Sequence, residues 1–336
     1  MTIDLLLLFV GLAALVLGGD LLVRGAVAIA ERARLSHLVI GLTIVAFGTS
    51  APELLVSLTS TLDGTGGIAL GNVVGSNIAN IALILGVTAV IHAAPTSPQS
   101  LRVDMPMLLV STGLLIWAAS TGCIMRWHGI VGFLLLIAFT VWQIRHARRY
   151  ASPQHAAEAE TDTNGADTNT DNAEADASAL TRWLRRYVWL AVLACVVALA
   201  ALSYGADWLV AGASDLARRL GVSERIIGLS VVAVGTSLPE LFASIMAARR
   251  GETDMAIGNI IGSNLFNILC VLGLTAVVAP LGDISPSFGY DFAWMFGLTI
   301  VLWIFLFTKH RLSRMEGLAL LASYIIYMAH IVSTAA

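Results

Sequence analysis

The chain has 336 residues, 57% of them hydrophobic and only 12% charged, with a mean hydropathy of +0.84. A soluble domain carries roughly twice that share of charge, so a water-soluble globular fold is excluded and a polytopic helical membrane protein is expected. The net charge of −3 says little by itself; where the charges fall says more.

Taken in chain order, the apolar runs predict ten helices, at roughly 3–31, 37–62, 67–92, 104–121, 127–146, 184–217, 224–249, 255–279, 289–308 and 315–333. The first lacks a charged leader and a small-residue cleavage site, and is read as a retained helix rather than a signal peptide. Between the fifth and sixth helices lies a stretch of another kind. Residues 150–181 are rich in Ala, Thr, Asn and Asp, with no Lys or Arg between Arg149 and Arg182. Such a segment cannot bury a core and predicts a disordered acidic linker. The expected organisation is a first five-helix half at 1–149, the linker at 150–181, and a second five-helix half at 182–336.

The halves repeat one another. Gly41–Glu53 reads GLTIVAFGTSAPE and Gly228–Glu240 reads GLSVVAVGTSLPE; GNVVGSNIAN at Gly71–Asn80 answers GNIIGSNLFN at Gly258–Asn267. Every pair is 187 positions apart, as are Asp20 with Asp207 and Asp104 with Asp291. An odd number of spans per half makes the second half enter the membrane from the opposite side, so an all-α fold of two inverted-topology repeats is expected.

Basic residues predict the orientation. With the N-terminus outside, the inner loops hold fourteen Lys and Arg and the outer loops four (Arg126, Arg218, Arg219 and Arg225). This positive-inside bias places both termini on the periplasmic or extracellular side of a bacterial plasma membrane, and the linker in the cytoplasm.

Each half buries one acid. Glu53 has no basic neighbour one turn away, and an unpaired carboxylate in hydrocarbon costs several kcal/mol, about 3 on insertion scales. Thr49 and Ala46 share its helical face and Ser50 lies close to it. Pro52 and Gly48 loosen the turn and are expected to free carbonyls near Ala46 and Thr49 to face a cation. Ala233, Thr236, Ser237, Pro239 and Glu240 repeat the pattern. Asn72, Ser76 and Asn80 share a face of the third helix, as Asn259, Ser263 and Asn267 do on the eighth. The pairs Gly71/Gly75 and Gly258/Gly262 are spaced for close helix approach. Carboxylate, hydroxyl, amide oxygen and carbonyl suit hard cations such as Ca²⁺ and Na⁺, and two glutamates balance one divalent ion. The cysteines Cys123, Cys195 and Cys270 show no metal or redox spacing.

Taken singly these features have ordinary explanations. Pro and Gly kink membrane helices, GxxxG packs them, and Ser and Thr bond back to their own helix. Their duplication at one offset favours a shared ion site. Asp20, with Arg24 one turn away, and Asp207 are read as structural or gate-associated. Asp104 and Asp291 begin the fourth and ninth helices, where an N-cap role is expected.

The paired G-T-S-x-P-E and G-N-x-x-G-S-N-x-x-N segments closely resemble the alpha-repeats of the Ca²⁺/cation antiporter superfamily, in particular its Na⁺/Ca²⁺ exchanger branch. The resemblance covers essentially the whole chain. It implies Glu53 and Glu240 as central Ca²⁺ ligands. It implies Thr49, Ser50, Thr236 and Ser237, with the carbonyls of Ala46 and Ala233, as Ca²⁺ and Na⁺ ligands. Ser76, Asn80, Ser263 and Asn267 complete the implied Na⁺ sites. Some exchangers carry aspartate where this chain has Asn267, so the coupling ion is open. Val73-Val74 and Ile260-Ile261 stand where the proton-coupled branch places an acid, which favours Na⁺. The function so implied is a secondary antiporter, not an enzyme, exporting Ca²⁺ for Na⁺ by alternating access, without cofactor, nucleotide or nucleic acid, and working as a monomer in the bilayer. Three alternatives remain: a Ca²⁺/H⁺ antiporter using the same glutamates, a cation channel, and an intramembrane hydrolase built on Ser50 or Ser237. The last lacks a duplicated histidine.

Overall fold

The computed structural model describes residues 2–150, 179–221, 233–282, 284–285 and 288–335. The described chain is almost wholly helical. We number the helices α1 (Thr2–Ala33), α2 (His37–Thr49), α3 (Ala51–Leu62), α4 (Gly66–Ile91), α5 (Ser100–Ser120), α6 (Arg126–Tyr150), α7 (Ala179–Arg186), α8 (Val188–Arg219), α9 (Ala233–Gly235), α10 (Leu238–Arg249), α11 (Thr253–Val278), α12 (Phe288–Lys309) and α13 (Arg314–Ala335). Eight of them are long and apolar enough to cross a membrane, and the bent pair α2/α3 raises the number to nine among the described residues. The expected seventh span, 224–249, is seen only from Ala233 onward; residues 222–232, and the linker from 151 to 178, lie outside the described residues.

Burial sorts the helices into layers. The most apolar window of α11 is 83% buried and that of α4 is 72%, against 17% for α6 and α13, so the motif-bearing helices sit at the centre. Exposed Leu, Ile, Val and Trp on the peripheral helices, among them Trp142, Ile304 and Ile325, form the apolar coat expected of lipid-facing surface. One buried cluster surrounds α4, α5 and α11; a second is built on α1, α8 and α10.

The pair α1/α8 shows how sequence spacing becomes packing. Gly11, Gly18 and Gly25 recur every seven residues and lie against Gly205, Ala198 and Ala191 respectively, so the helices run in opposite directions. A Cβ on Gly11 would come within 2.7 Å of the Gly205 carbonyl oxygen. In a bilayer, where apolar side chains gain nothing by leaving lipid, such close backbone contact is what holds helices together. The same device joins α2 to α11: a Cβ on Gly258 would lie 2.5 Å from the Leu38 oxygen, and one on Gly262 2.6 Å from that of Leu42.

Short strands β1 (Ala94–Pro95) and β2 (Arg311–Leu312) pair antiparallel, and an isolated bridge joins Ile124 to Leu281. Ala94 and Leu281 are 187 positions apart, as are Ile124 and Arg311, so both ends of the molecule are tied by corresponding loops.

Three expectations change. The expected second helix is not continuous but bends by 41° at Ser50, between α2 and α3. The expected sixth helix is interrupted at Tyr187, whose extended backbone (φ −123°, ψ 101°) separates α7 from α8. Asp104 and Asp291 are not N-caps. Asp104 ends a π-helical turn at Ser100–Asp104 and makes no cap bond; it is fully buried and accepts from Gln143 Nε2 at 2.7 Å. Asp291 lies inside the first turn of α12 and accepts from the Tyr327 hydroxyl at 2.9 Å. In both places a neighbouring helix supplies the bond that a helix end would otherwise seek.

Candidate ion site

The site grows from two broken helices. Ser50 separates α2 from α3 with φ −84° and ψ 5°; Ser237 follows the short α9 and caps α10 with φ −92° and ψ 5°. Pro52 and Pro239 occupy the first turn beyond each break. Proline has no N–H to give back to the preceding turn, so the break is local and repeated. Each break aims the glutamate one residue past the proline inward: Glu53 and Glu240 are both 0% exposed.

Two buried acids without a basic partner are the central feature. Among the described residues no basic side chain pairs with either glutamate. Both carboxylate oxygens of Glu53 and Oε2 of Glu240 are buried without a hydrogen bond. Glu240 Oε1 accepts weakly from Ser50 Oγ at 3.3 Å, which joins the two breaks. Around them Ser237 Oγ, Asn80 Oδ1 and the whole amide of Asn267 are also buried and unsatisfied. A buried polar atom without a partner costs about 1–3 kcal/mol, and a charge more. So many unpaired oxygens at the centre of a folded protein make a donor set for a cation.

Helices α4 and α11 supply the opposite wall. Thr49 Oγ1, 1% exposed, lies 3.4 Å from each of Asn259 Oδ1, Ser263 Oγ and its own helix's Ala46 carbonyl. Asn80 and Asn267 each begin a π-helical turn, Asn80–Ile84 and Asn267–Val271. A π turn adds a residue to the helix and turns its side chains to a new direction, which places it often at functional sites.

The structure thus joins Thr49 to Ser263 and Ser50 to Glu240, and buries Glu53, Ser76, Asn80, Ser237 and Asn267. Thr236 is half-buried, whereas its counterpart Thr49 is buried. One expectation about the backbone fails. The Ala46 carbonyl is not released, because Ser50 N–H donates to it at 3.0 Å. Pro52, lacking a donor, frees the carbonyl four residues before it, that of Gly48. In the second half Ser237 N–H turns to Val234 O at 3.1 Å instead.

Asn72 and Asn259 do not face the site as ligands. Asn72 Nδ2 donates to the Glu53 backbone carbonyl at 3.2 Å and to Ser57 Oγ at 3.0 Å. Asn259 Nδ2 does the same with Glu240 O at 3.4 Å and Ser244 Oγ at 2.9 Å. These bonds fix each glutamate's backbone to the opposite helix. Ser57 and Ser244 did not stand out in the sequence, although both are fully buried; their separation of 187 residues was the signal available.

The family described as sodium/calcium exchanger protein matches residues 3–145 and 190–333. Sodium/calcium exchanger MaX1 of Methanosarcina acetivorans is 34% identical over 97% of this chain and 98% of its own. Inner membrane protein YrbG of Escherichia coli is 32% identical over 96% of this chain and 95% of its own. A structure of the sodium-calcium exchanger NCX_Mj, soaked with zero Na⁺ and Ca²⁺, superposes with a TM-score of 0.76 at 29% identity, covering 98% of this chain and 99% of that one. The chain therefore belongs to the sodium/calcium exchanger family of membrane cation antiporters, and is a transporter rather than an enzyme.

Proposed function

We propose that this protein exports Ca²⁺ in exchange for Na⁺ by alternating access, with both ions competing for one site between two inverted five-helix repeats. The observation that carries this is the pair of fully buried glutamates, three of whose four carboxylate oxygens lack partners. Glu53 and Glu240 take the divalent ion. Thr49, Ser50, Thr236 and Ser237 share it with Na⁺, together with the carbonyls of Ala46 and Ala233, that of Ala46 through the lone pair that Ser50 N–H leaves open; Ser76, Asn80, Ser263 and Asn267 complete the Na⁺ positions. Because Ca²⁺ and Na⁺ use common ligands, occupancy by one excludes the other, and exchange is coupled. With no nucleotide-binding motif in the sequence, the ion gradient supplies the energy.

Ten spans follow if residues 222–232 complete the seventh. The arginine-rich end is assigned to the cytoplasm by the positive-inside rule, with both termini on the other side of a bacterial inner membrane and the linker at 150–181 cytoplasmic. The corresponding loop bridges at the two ends support inverted halves at 1–149 and 182–336. Each protomer carries both glutamates, so a monomer suffices.

The test is ⁴⁵Ca²⁺ uptake into proteoliposomes under an outward Na⁺ gradient, with Glu53→Gln and Glu240→Gln as controls. Na⁺-driven uptake that both variants abolish is the expected result. Uptake driven only by an outward H⁺ gradient would transfer the same glutamates to Ca²⁺/H⁺ exchange, the alternative that Asn267 leaves open.

A further inference from the structure

The asparagine of each G-S-N triplet, Asn77 and Asn264, belongs to neither the ion site described above nor its backbone supports. The two occupy equivalent positions, 187 residues apart, and both are buried, at 1% and 0% exposure. Yet they stand in different conformations. Asn77 is retracted: its Nδ2 donates to the carbonyl of Val73 on its own helix at 2.7 Å, and its Oδ1 has no partner. Asn264 is engaged: its Oδ1 accepts from Asn80 Nδ2 of the opposite half at 3.2 Å, and its Nδ2 has no partner.

The ligand amides differ in step. Asn80, held through its nitrogen, presents Oδ1, the unpartnered atom, on the other branch of the amide. Asn267, whose counterpart partner Asn77 is retracted, has neither amide atom bonded. One molecule thus holds the same device in two positions, and exchanging the roles of the halves interchanges them. In inverted repeats that exchange is also what relates the two access states.

We propose that Asn77 and Asn264 are positioning residues that alternate during transport. In the state seen here Asn264 holds Asn80 with its carbonyl oxygen toward the ion. In the opposite state Asn77 leaves Val73, accepts from Asn267 Nδ2 and orients the Asn267 oxygen in the same way, while Asn264 retracts onto the carbonyl of Ile260. Each triplet asparagine thereby sets cation affinity for one face of the membrane. This rests on the alternating-access proposal above and adds to it the side-specific orientation of two ligands.

The experiment measures Na⁺-dependent ⁴⁵Ca²⁺ flux in right-side-out and in everted membrane vesicles, for wild type, Asn264→Ala, Asn77→Ala and the corresponding Asp variants. KM for each ion is read separately from maximal rate. Asn264→Ala is expected to raise KM for Na⁺ about five- to tenfold at one face, the cost of one lost hydrogen bond in a buried network. Asn77→Ala is expected to do so at the other face, each with maximal rate kept within about twofold. An aspartate retains the acceptor, so Asn264→Asp and Asn77→Asp should recover more than half of the loss. Equal effects of both alanine variants at both faces, no change in KM, or no recovery by aspartate would each overturn the proposal. Wild-type flux separates this from the exchange reading: if wild type runs on H⁺ and not on Na⁺, the exchange reading fails while the same KM comparison, made for Ca²⁺ at each face, still decides the role of the asparagines.

Discussion

The two ends of the molecule are built from equivalent residues but are closed differently. At the arginine-rich end, Asp20 of α1 accepts from Arg24 Nε at 2.9 Å and from Arg250 Nε, beyond α10, at 2.6 Å. There α1 lies directly on α10: a Cβ on Gly19 would meet the Phe242 carbonyl oxygen at 2.9 Å and Met246 Cγ at 3.0 Å. At the other end the residues 187 positions from Asp20 and Arg250 are Asp207 and Asp63, two acids. Leu55, the counterpart of Phe242, is 65% exposed, and among the described residues α8 has no contact with α3 comparable to that of α1 with α10. At the first position the acid meets an arginine and the helices pack; at the equivalent position two acids stand where the acid and the arginine would be. Under the proposed alternating access, these few charge differences bias which end is closed.

The largest effect should come from the centre that the two ends share. Replacing Glu240 or Glu53 by Gln removes one of two charges facing a dication, worth about 3 kcal/mol or more and on the order of a hundredfold in exchange rate; residual ⁴⁵Ca²⁺ flux near wild type would show that neither end leads to these acids. Next, Asp63→Arg should give the acidic end the latch it lacks, against Asp207. Exchange should slow by roughly fivefold to tenfold, and Asp207→Asn in the same chain should restore it, as a double-mutant cycle would register. Breaking the existing latch with Arg250→Ala removes an ion pair worth about 1 kcal/mol, so the arginine-rich end should open about fivefold more often. Maleimide labelling of a cysteine placed at Met246, in a background without the native cysteines, reports it; unchanged labelling would mean that Gly19 packing alone keeps that end shut. The smallest effect belongs to Arg24→Ala, which leaves Asp20 with Arg250. A shift below about 0.5 kcal/mol is expected, as for most partly exposed i,i+4 pairs, readable as less than about a 2.5-fold change in the same labelling.

Much of the site was legible in the chain because the bilayer makes polar residues conspicuous. Glu53 and Glu240 stand out in apolar runs, and the offset of 187 singles out Thr49, Ser50, Ser76 and Asn80 with their copies. The helix ends were harder. An aspartate near a helix start resembles an N-cap in sequence, and only packing reveals that Gln143 and Tyr327 reach Asp104 and Asp291 from neighbouring helices. The π turns at Asn80 and Asn267 also escape sequence periodicity, since one inserted residue leaves no local mark in a helix that is apolar all round.

By itself, the sequence determined that this is a membrane protein, that its two halves repeat, and that the repeats carry one acid each among oxygen donors. These follow from hydropathy and local motif, which act over a few turns of chain. Which copy of each residue engages was decided only in the tertiary structure. Asn264 reaches Asn80 while Asn77 folds back on Val73, Thr49 meets Asn259 and Ser263, and Asp20 finds Arg250 across 230 positions of sequence. Near-identical segments carry near-identical local preferences, so which copy engages is settled only when the two halves pack against each other.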